Sequence, residues 1–335
     1  MLQTFSHRAL VAATALALAA GCSGNALTPN QSSSTNQSAG RGSQAMRALP
    51  GPTVAGPVFA PLAPLKVNAP AGWPAKKKQA SILFASDEST SAVLMYDPNK
   101  PNSAPTGSIT TGVDVPAGLA VDKTGTLYVA NDGNNTIAVY PKGQSSPSLT
   151  ISSGISGPYG VGVDSKGNVF VSNLDNNTLT AYKAGATSPY ATINFSPYGQ
   201  PVGVGTDGKN NVWVACDTTN AVFEIPAGTT TVNNSGLTDL AGPIGVSFGQ
   251  KDTIYVSNFS TTNVNIYAYG STTPSTTITT DITGPTLNGV TKKGLFFQSN
   301  QDSNIVGFKK GQTSPFSTLA DTAPLGIASS PLVKK

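Results

Sequence analysis

Few residues in this chain could do chemistry. The single histidine is His7, and the two cysteines are Cys22 and Cys216. A nucleophilic thiol needs a base in reach, most often histidine, and none follows position 7 to serve Cys216. Carboxylates would therefore carry any acid–base work. Asp122, Asp164 and Asp207 recur at intervals of about forty residues, and so do Asp132, Asp175 and Asp217; the glutamates are Glu88 and Glu224. The first three each open a short turn, the usual structural post of aspartate in a hairpin. The second three sit in Asn-rich loops and read as solvated turn residues.

The elements that position these residues repeat. The stretch Ala117 to Pro158 is followed from Tyr159 by a second unit with the same glycines, apolar runs and Asn-Asn-Thr. Such a period marks a stacked architecture. Each unit holds four strand signals: a, Gly118 to Asp122; b, Leu127 to Asn131; c, Ile137 to Tyr140; and d, Ser148 to Ser152. Four antiparallel strands in one repeat make a propeller blade. Strand-a glycines recur at Gly118, Gly160, Gly203, Gly245, Gly289 and Gly326, where strands converging on an axis leave little room. Strand b carries Leu83, Tyr128, Phe170, Trp213, Tyr255 and Phe296 at one position, read as packing between blades. The b strand at Ile82 has no a strand before it, and the a strand at Leu325–Ser329 has no b strand after it. Together they complete one blade and remove the open edge of the ring. The expected fold is all-β, a six-bladed β-propeller closed by its last strand.

Residues 1–21 form a targeting segment. Arg8 precedes the apolar run Ala9–Ala20, which is too short to span a bilayer as a mature helix, and Leu18-Ala19-Ala20-Gly21-Cys22 ends it. This is similar to a bacterial lipoprotein signal, which implies lipidation of Cys22 and export; an ordinary secretory signal is the alternative. Ser23 in the next place implies, by the same resemblance, sorting to the outer membrane where there is one. Residues 22–79, rich in Ser, Pro and Asn, read as a disordered tether, and residues 80–335 as the propeller. Lys76-Lys77-Lys78 reads as a solvated run, with contact to anionic headgroups the alternative. Seven of the 20 basic residues precede position 80 and all 16 acidic ones follow it, so the propeller is net acidic and contains no arginine. That excludes nucleic acid, which arginine contacts favour.

The motifs P-x-G-[IVL]-[AGS], D-x-x-G-[NT]-[VL]-[YFW]-V-[AS]-N and N-N-T-[IL]-x-x-Y resemble the NHL-repeat and gluconolactonase-like family of six-bladed propellers. That fold hosts hydrolases, lyases and binding modules alike. The resemblance implies, in its enzymes, an axial divalent cation held partly by an Asn that starts a strand a. The matching residues here are Ala117, Tyr159, Val202, Ile244 and Leu325, with Asn288 before Gly289 in the fifth unit. Its lyase and amidating relatives use histidine, which this propeller lacks. The reading is therefore a monomeric, non-enzymatic binding scaffold without cofactor or metal, its partners the membrane through Cys22 and an envelope protein or glycan. A divergent lactonase-like hydrolase is the alternative. The expected recognition face gathers Tyr159, Tyr198, Asn131, Asp132, Asn173, Asp175, Asp217 and Asn258, with both tyrosines equally open to a packing role over the channel mouth. Cys216, at the end of a strand b, reads as a half-buried structural residue.

Overall fold

The computed structural model describes residues 81–301 and 303–330; Cys22, the tether and the Lys76–Lys78 run lie outside them. Apart from a short 3-10 turn at Gln250–Asp252, the regular structure is six sheets of four antiparallel strands, arranged as propeller blades. No helix among the described residues is long and apolar enough to cross a membrane. In each of five blades the chain runs from the innermost strand a outward to d. The sixth is composite, with Pro324–Ser329 paired to Leu83–Asp87, then Ala92–Tyr96 and Gly107–Ile109.

Turn chemistry builds each blade. Asp122 Oδ1 accepts the N–H groups of Thr124 and Thr126 at 2.8 and 2.9 Å, and Gly125 supplies φ +94°. Asp164 and Asp207 repeat the arrangement toward Lys166 and Asn168, and toward Lys209 and Asn211. All three are thus occupied in forming a–b turns. In four blades strand c ends on a tyrosine buried in the core. Tyr140, Tyr182 and Tyr267 donate their hydroxyls to carbonyls of the d–a connections at 2.8, 2.7 and 2.7 Å, and Tyr96 donates to Ala320 O, the last residue of a strand d, at 2.8 Å. Each phenol thereby gains a buried partner and pins the incoming connection to its blade.

Pairing corrects three residues of the sequence reading. Tyr128, Phe170, Trp213 and Tyr255 pair with Ala120, Gly162, Gly205 and Ser247 of strand a. Their counterparts in the remaining blades are Phe84, opposite Ala328, and Phe297, opposite Gly289, and not Leu83 and Phe296. A shift of one residue moves a side chain to the other face of the strand. Gly289 therefore matches Ala120, and the residue matching Gly118 in that blade is Leu287.

Each strand a has a register irregularity against strand b near its first residues, as between Pro116 and Leu119 or Pro158 and Val161. Serines of strand b bridge this break. Ser172 Oγ accepts Gly160 N–H at 2.7 Å and donates to Val202 O of the next blade at 2.6 Å. Ser86 does the same between Gly326 N–H and Ala117 O, both at 2.6 Å. The glycines are sterically required at this approach: a Cβ on Gly118, Gly160, Gly203 or Gly326 would fall within 2.1–2.3 Å of the next blade's carbonyl oxygen. Closure is further held by Ser330 N–H to Ile82 O and Ile82 N–H to Ser330 Oγ, both at 2.8 Å.

Candidate functional site

The b–c loops and d–a connections share one end of the ring, and strand b closes on a cap that organises it. Asn131, Asn173, Asn258 and Asn300 end their strands, and each accepts through Oδ1 the N–H of a residue seventeen positions earlier: Asp114, Ser156, Ala241 and Thr283, at 3.0–3.1 Å. Asn131, Asn173 and Asn258 have no exposed surface. Three residues of the expected recognition face are thereby removed from it, because their amides satisfy backbone that would otherwise be buried unpaired. The Asn-Asn-Thr motif is likewise partly structural. Asn135 and Asn220, in the left-handed region at φ +56° and +50°, accept the N–H of Gly157 and Gly242 in the next blade at 2.6 Å.

Cys216 takes the cap position in the third blade and is fully buried, not half-buried. Burial, and then the neighbouring carboxylate of Asp217, push its thiol well above the usual range. Without an asparagine, the connection before this blade ties itself off: Tyr198 and Gly199 donate N–H to Phe195 O, and Gln200 N–H reaches Thr218 Oγ1 at 3.0 Å. Tyr198 is a packing residue, its ring 5.7 Å from Phe195 and 5.3 Å from Phe223, centroid to centroid.

The residue after each cap opens a b–c loop at this end of the ring. Around the ring this position reads Glu88, Asp132, Leu174, Asp217, Phe259 and Gln301. Leu174 packs with Val202, Ile244 and Leu287, and Tyr159 and Phe259 lie partly buried against that cluster. Tyr159 thus belongs to the mouth. One side of the mouth is apolar, and carboxylates hold other positions of the same ring. Asp217 is half-buried, and burial raises its carboxyl against the opposing pull of the Thr218 and Asp217 N–H groups. Its Oδ1 has no hydrogen-bond partner. Asp132 is half-buried and Asp175 exposed. Reasoning from turn residues missed Leu174 and Phe259; their signal was that this column varies in type while the columns beside it repeat.

A cavity of about 20 Å³, room for about one water, is lined by Leu119, Val161, Val204, Val246, Asn288 and Ile327, with Gly118, Gly160 and Leu287. Strand pairing places Asn288 with Leu119 and Val161, so the fifth-blade residue matching Ala117 and Tyr159 is Thr286. Asn288 ends a directed hydrogen-bond chain. Gln298 Nε2 donates to Thr286 O and Ser299 O, Gln298 Oε1 accepts Ser257 Oγ at 2.6 Å, and Ser257 Oγ accepts Asn288 Nδ2 at 2.6 Å. Asn288 Oδ1 is left without a protein partner. Among the described residues, no three His, Cys, Asp or Glu side chains are grouped to hold a metal ion.

The NHL repeat family profile matches residues 114–140, the a–b–c portion of one blade. Among curated proteins none matches the chain. Solved structures match the ring as a whole. A chain of a nidogen/laminin complex aligns with TM-score 0.61 at 13% identity, over 75% of this chain and 98% of that one. A streptogramin B lyase aligns with TM-score 0.53 at 14% identity, over 76% and 89%. A protein of unknown function from Bacteroides caccae aligns with TM-score 0.58 at 10% identity, over 75% and 99%. At these identities the likeness is one of fold. With the whole ring matched by structure, the chain is a six-bladed β-propeller, and one of its blades matches the NHL repeat by sequence.

Proposed function

We propose that the protein is a non-enzymatic binding module, exported and held at a membrane through lipidated Cys22, whose ligand docks over the mouth of the propeller axis. The observation that carries this reading is the mixed column after the strand-b caps. Where neighbouring columns keep one residue type for structural reasons, this one presents leucine and phenylalanine beside Tyr159 on one side and carboxylates elsewhere. Large, fairly rigid aromatic groups beside adaptable polar ones suit recognition. The cavity lined by the inner ring offers room for about one water. Histidine and arginine do not occur after position 47, so the mouth recruits neither for proton transfer or oxyanion stabilisation. The partner class is an envelope protein or a glycan.

The docking test is capture from envelope extract with the mature chain as bait, beside a Tyr159→Ala, Phe259→Ala double variant whose melting point is measured first. A partner retained by the wild type and lost by the folded variant supports the mouth as the site; equal capture by both refutes it. Anchoring is tested separately. Radiolabelled palmitate is expected in the wild-type protein and absent from Cys22→Ala, and label surviving the substitution overturns the lipoprotein reading.

A further inference from the structure

The joint between the first and last strands departs from the other blades at two adjacent places. Three residues before the proline that starts strand a, five blades carry Val113, Ile155, Tyr198, Leu240 and Ile282, each packed into its blade's apolar cluster. The composite blade has Asp321 there, 7% exposed. At the cap position, where four blades have asparagine, it has Asp87, 4% exposed. Two carboxyl groups thus occupy the seam that closes the ring.

Their surroundings divide the roles. Asp87 is ringed by donors: Oδ1 accepts Ser89 N–H, Ser89 Oγ and Thr90 N–H at 3.0, 2.7 and 3.3 Å, and Oδ2 accepts Thr322 Oγ1 at 3.1 Å. Asp321 Oδ1 accepts Ala323 N–H at 3.2 Å, and its Oδ2 has no partner. We propose that the Asp87–Asp321 pair is a pH-responsive clasp on ring closure. With a proton on Asp321 the last strand stays docked; without it, two like charges face each other across the seam and loosen Pro324–Ser329.

Burial first, and then the charge of Asp87, push Asp321 up to about 8, against the N–H groups of Thr322 and Ala323. The other titratable groups at the seam are Glu88, whose N–H bonds Ala323 O at 3.1 Å, and Tyr96, whose hydroxyl donates to Ala320 O. Burial, Asp321 and Asp87 all hold the proton on Tyr96, so it stays neutral through this range. Because the folded state binds the Asp321 proton more tightly than the unfolded chain, stability is full below about pH 4 and falls as pH rises toward 8.

The test is amide exchange of the full chain at pH 6 and pH 9, corrected for intrinsic chemistry, comparing Pro324–Ser329 with the equivalent strand Pro158–Val163. In the wild type, opening of the last strand relative to the reference is expected to rise about tenfold at pH 9. In Asp321→Asn, and in Asp321→Val, which restores the residue type of Val113, the ratio is expected to stay constant. Asp87→Asn removes the facing charge by a second route and is expected to reduce the rise. Equal acceleration of both strands in the wild type, or a wild-type response retained in Asp321→Asn, overturns the proposal.

Discussion

Asparagines that look like surface contacts turn out to be internal fasteners, and this sets what individual substitutions do. Asn258 Oδ1 accepts Ala241 N–H at 3.1 Å and its Nδ2 reaches Asn263 Oδ1 at 2.9 Å, with no exposed surface. Asn258→Ala leaves a buried N–H unpaired, at a cost of ~1–3 kcal/mol. Thermal unfolding is expected to show a melting point lower by about 2–4 °C per kcal/mol, whereas a surface contact would leave it unchanged. Cys216 is predicted to be inert. Its thiol is buried and held protonated, so for residues 80–335, which lack Cys22, Ellman's reagent should find no reactive thiol in the native protein and one per chain after denaturation. The sequence allowed a structural Cys216 but not its depth. Exposure of a strand-end residue depends on how the connection folds over it, and Phe195–Gln200 covers this one by bonding to itself.

At the level of strands, turn residues and the period of the repeat were enough to place all six blades and the seam between the chain ends. What they misjudged was register. A doubled aromatic, Phe296-Phe297, satisfies the apolar pattern in either of two phases, and only pairing with Gly289 selects Phe297. The fifth blade was misread by two residues: Leu287 stands where a glycine was expected, so the next glycine in sequence, Gly289, was taken for it. The composite blade gives the sharpest element-level prediction. Deleting residues 324–335 removes Leu325 and Ile327, 5% and 4% exposed, each worth ~1.5–3 kcal/mol of burial. It also strips the partners of Leu83–Asp87, at ~1–3 kcal/mol per unpaired buried group. Against a typical stability of ~5–15 kcal/mol, calorimetry of residues 80–323 beside 80–335 is expected to show no cooperative transition for the shorter chain. A melting point within a few degrees of the longer one would contradict the closure.

For the molecule as a whole, the ring was far more legible than the surface that uses it. Packing at the axis constrains residue type and so leaves a repeating trace. The column after the caps leaves no such trace: Leu174, Phe259 and Gln301 share it without sharing a property. The inner ring at Asn288 is otherwise aliphatic, which bears on catalysis. Purified mature protein is expected to carry no stoichiometric divalent metal, and a lactone panel supplemented with calcium, zinc or manganese to turn over no faster than buffer. Tightly bound metal or robust turnover would favour the hydrolase instead. The seam has one more consequence, concerning the order of synthesis. Ser81 Oγ donates to Ser330 O, 249 residues away, and Leu83–Asp87 pairs with strand Pro324–Ser329. Pro324–Ser329 is synthesised after every other described strand, so Leu83–Asp87 keeps an unpaired edge until that strand emerges. A product terminated between the fifth blade and Pro324 therefore leaves the ring open, with Leu83–Asp87, a strand fully buried in the closed ring, unpaired along one edge.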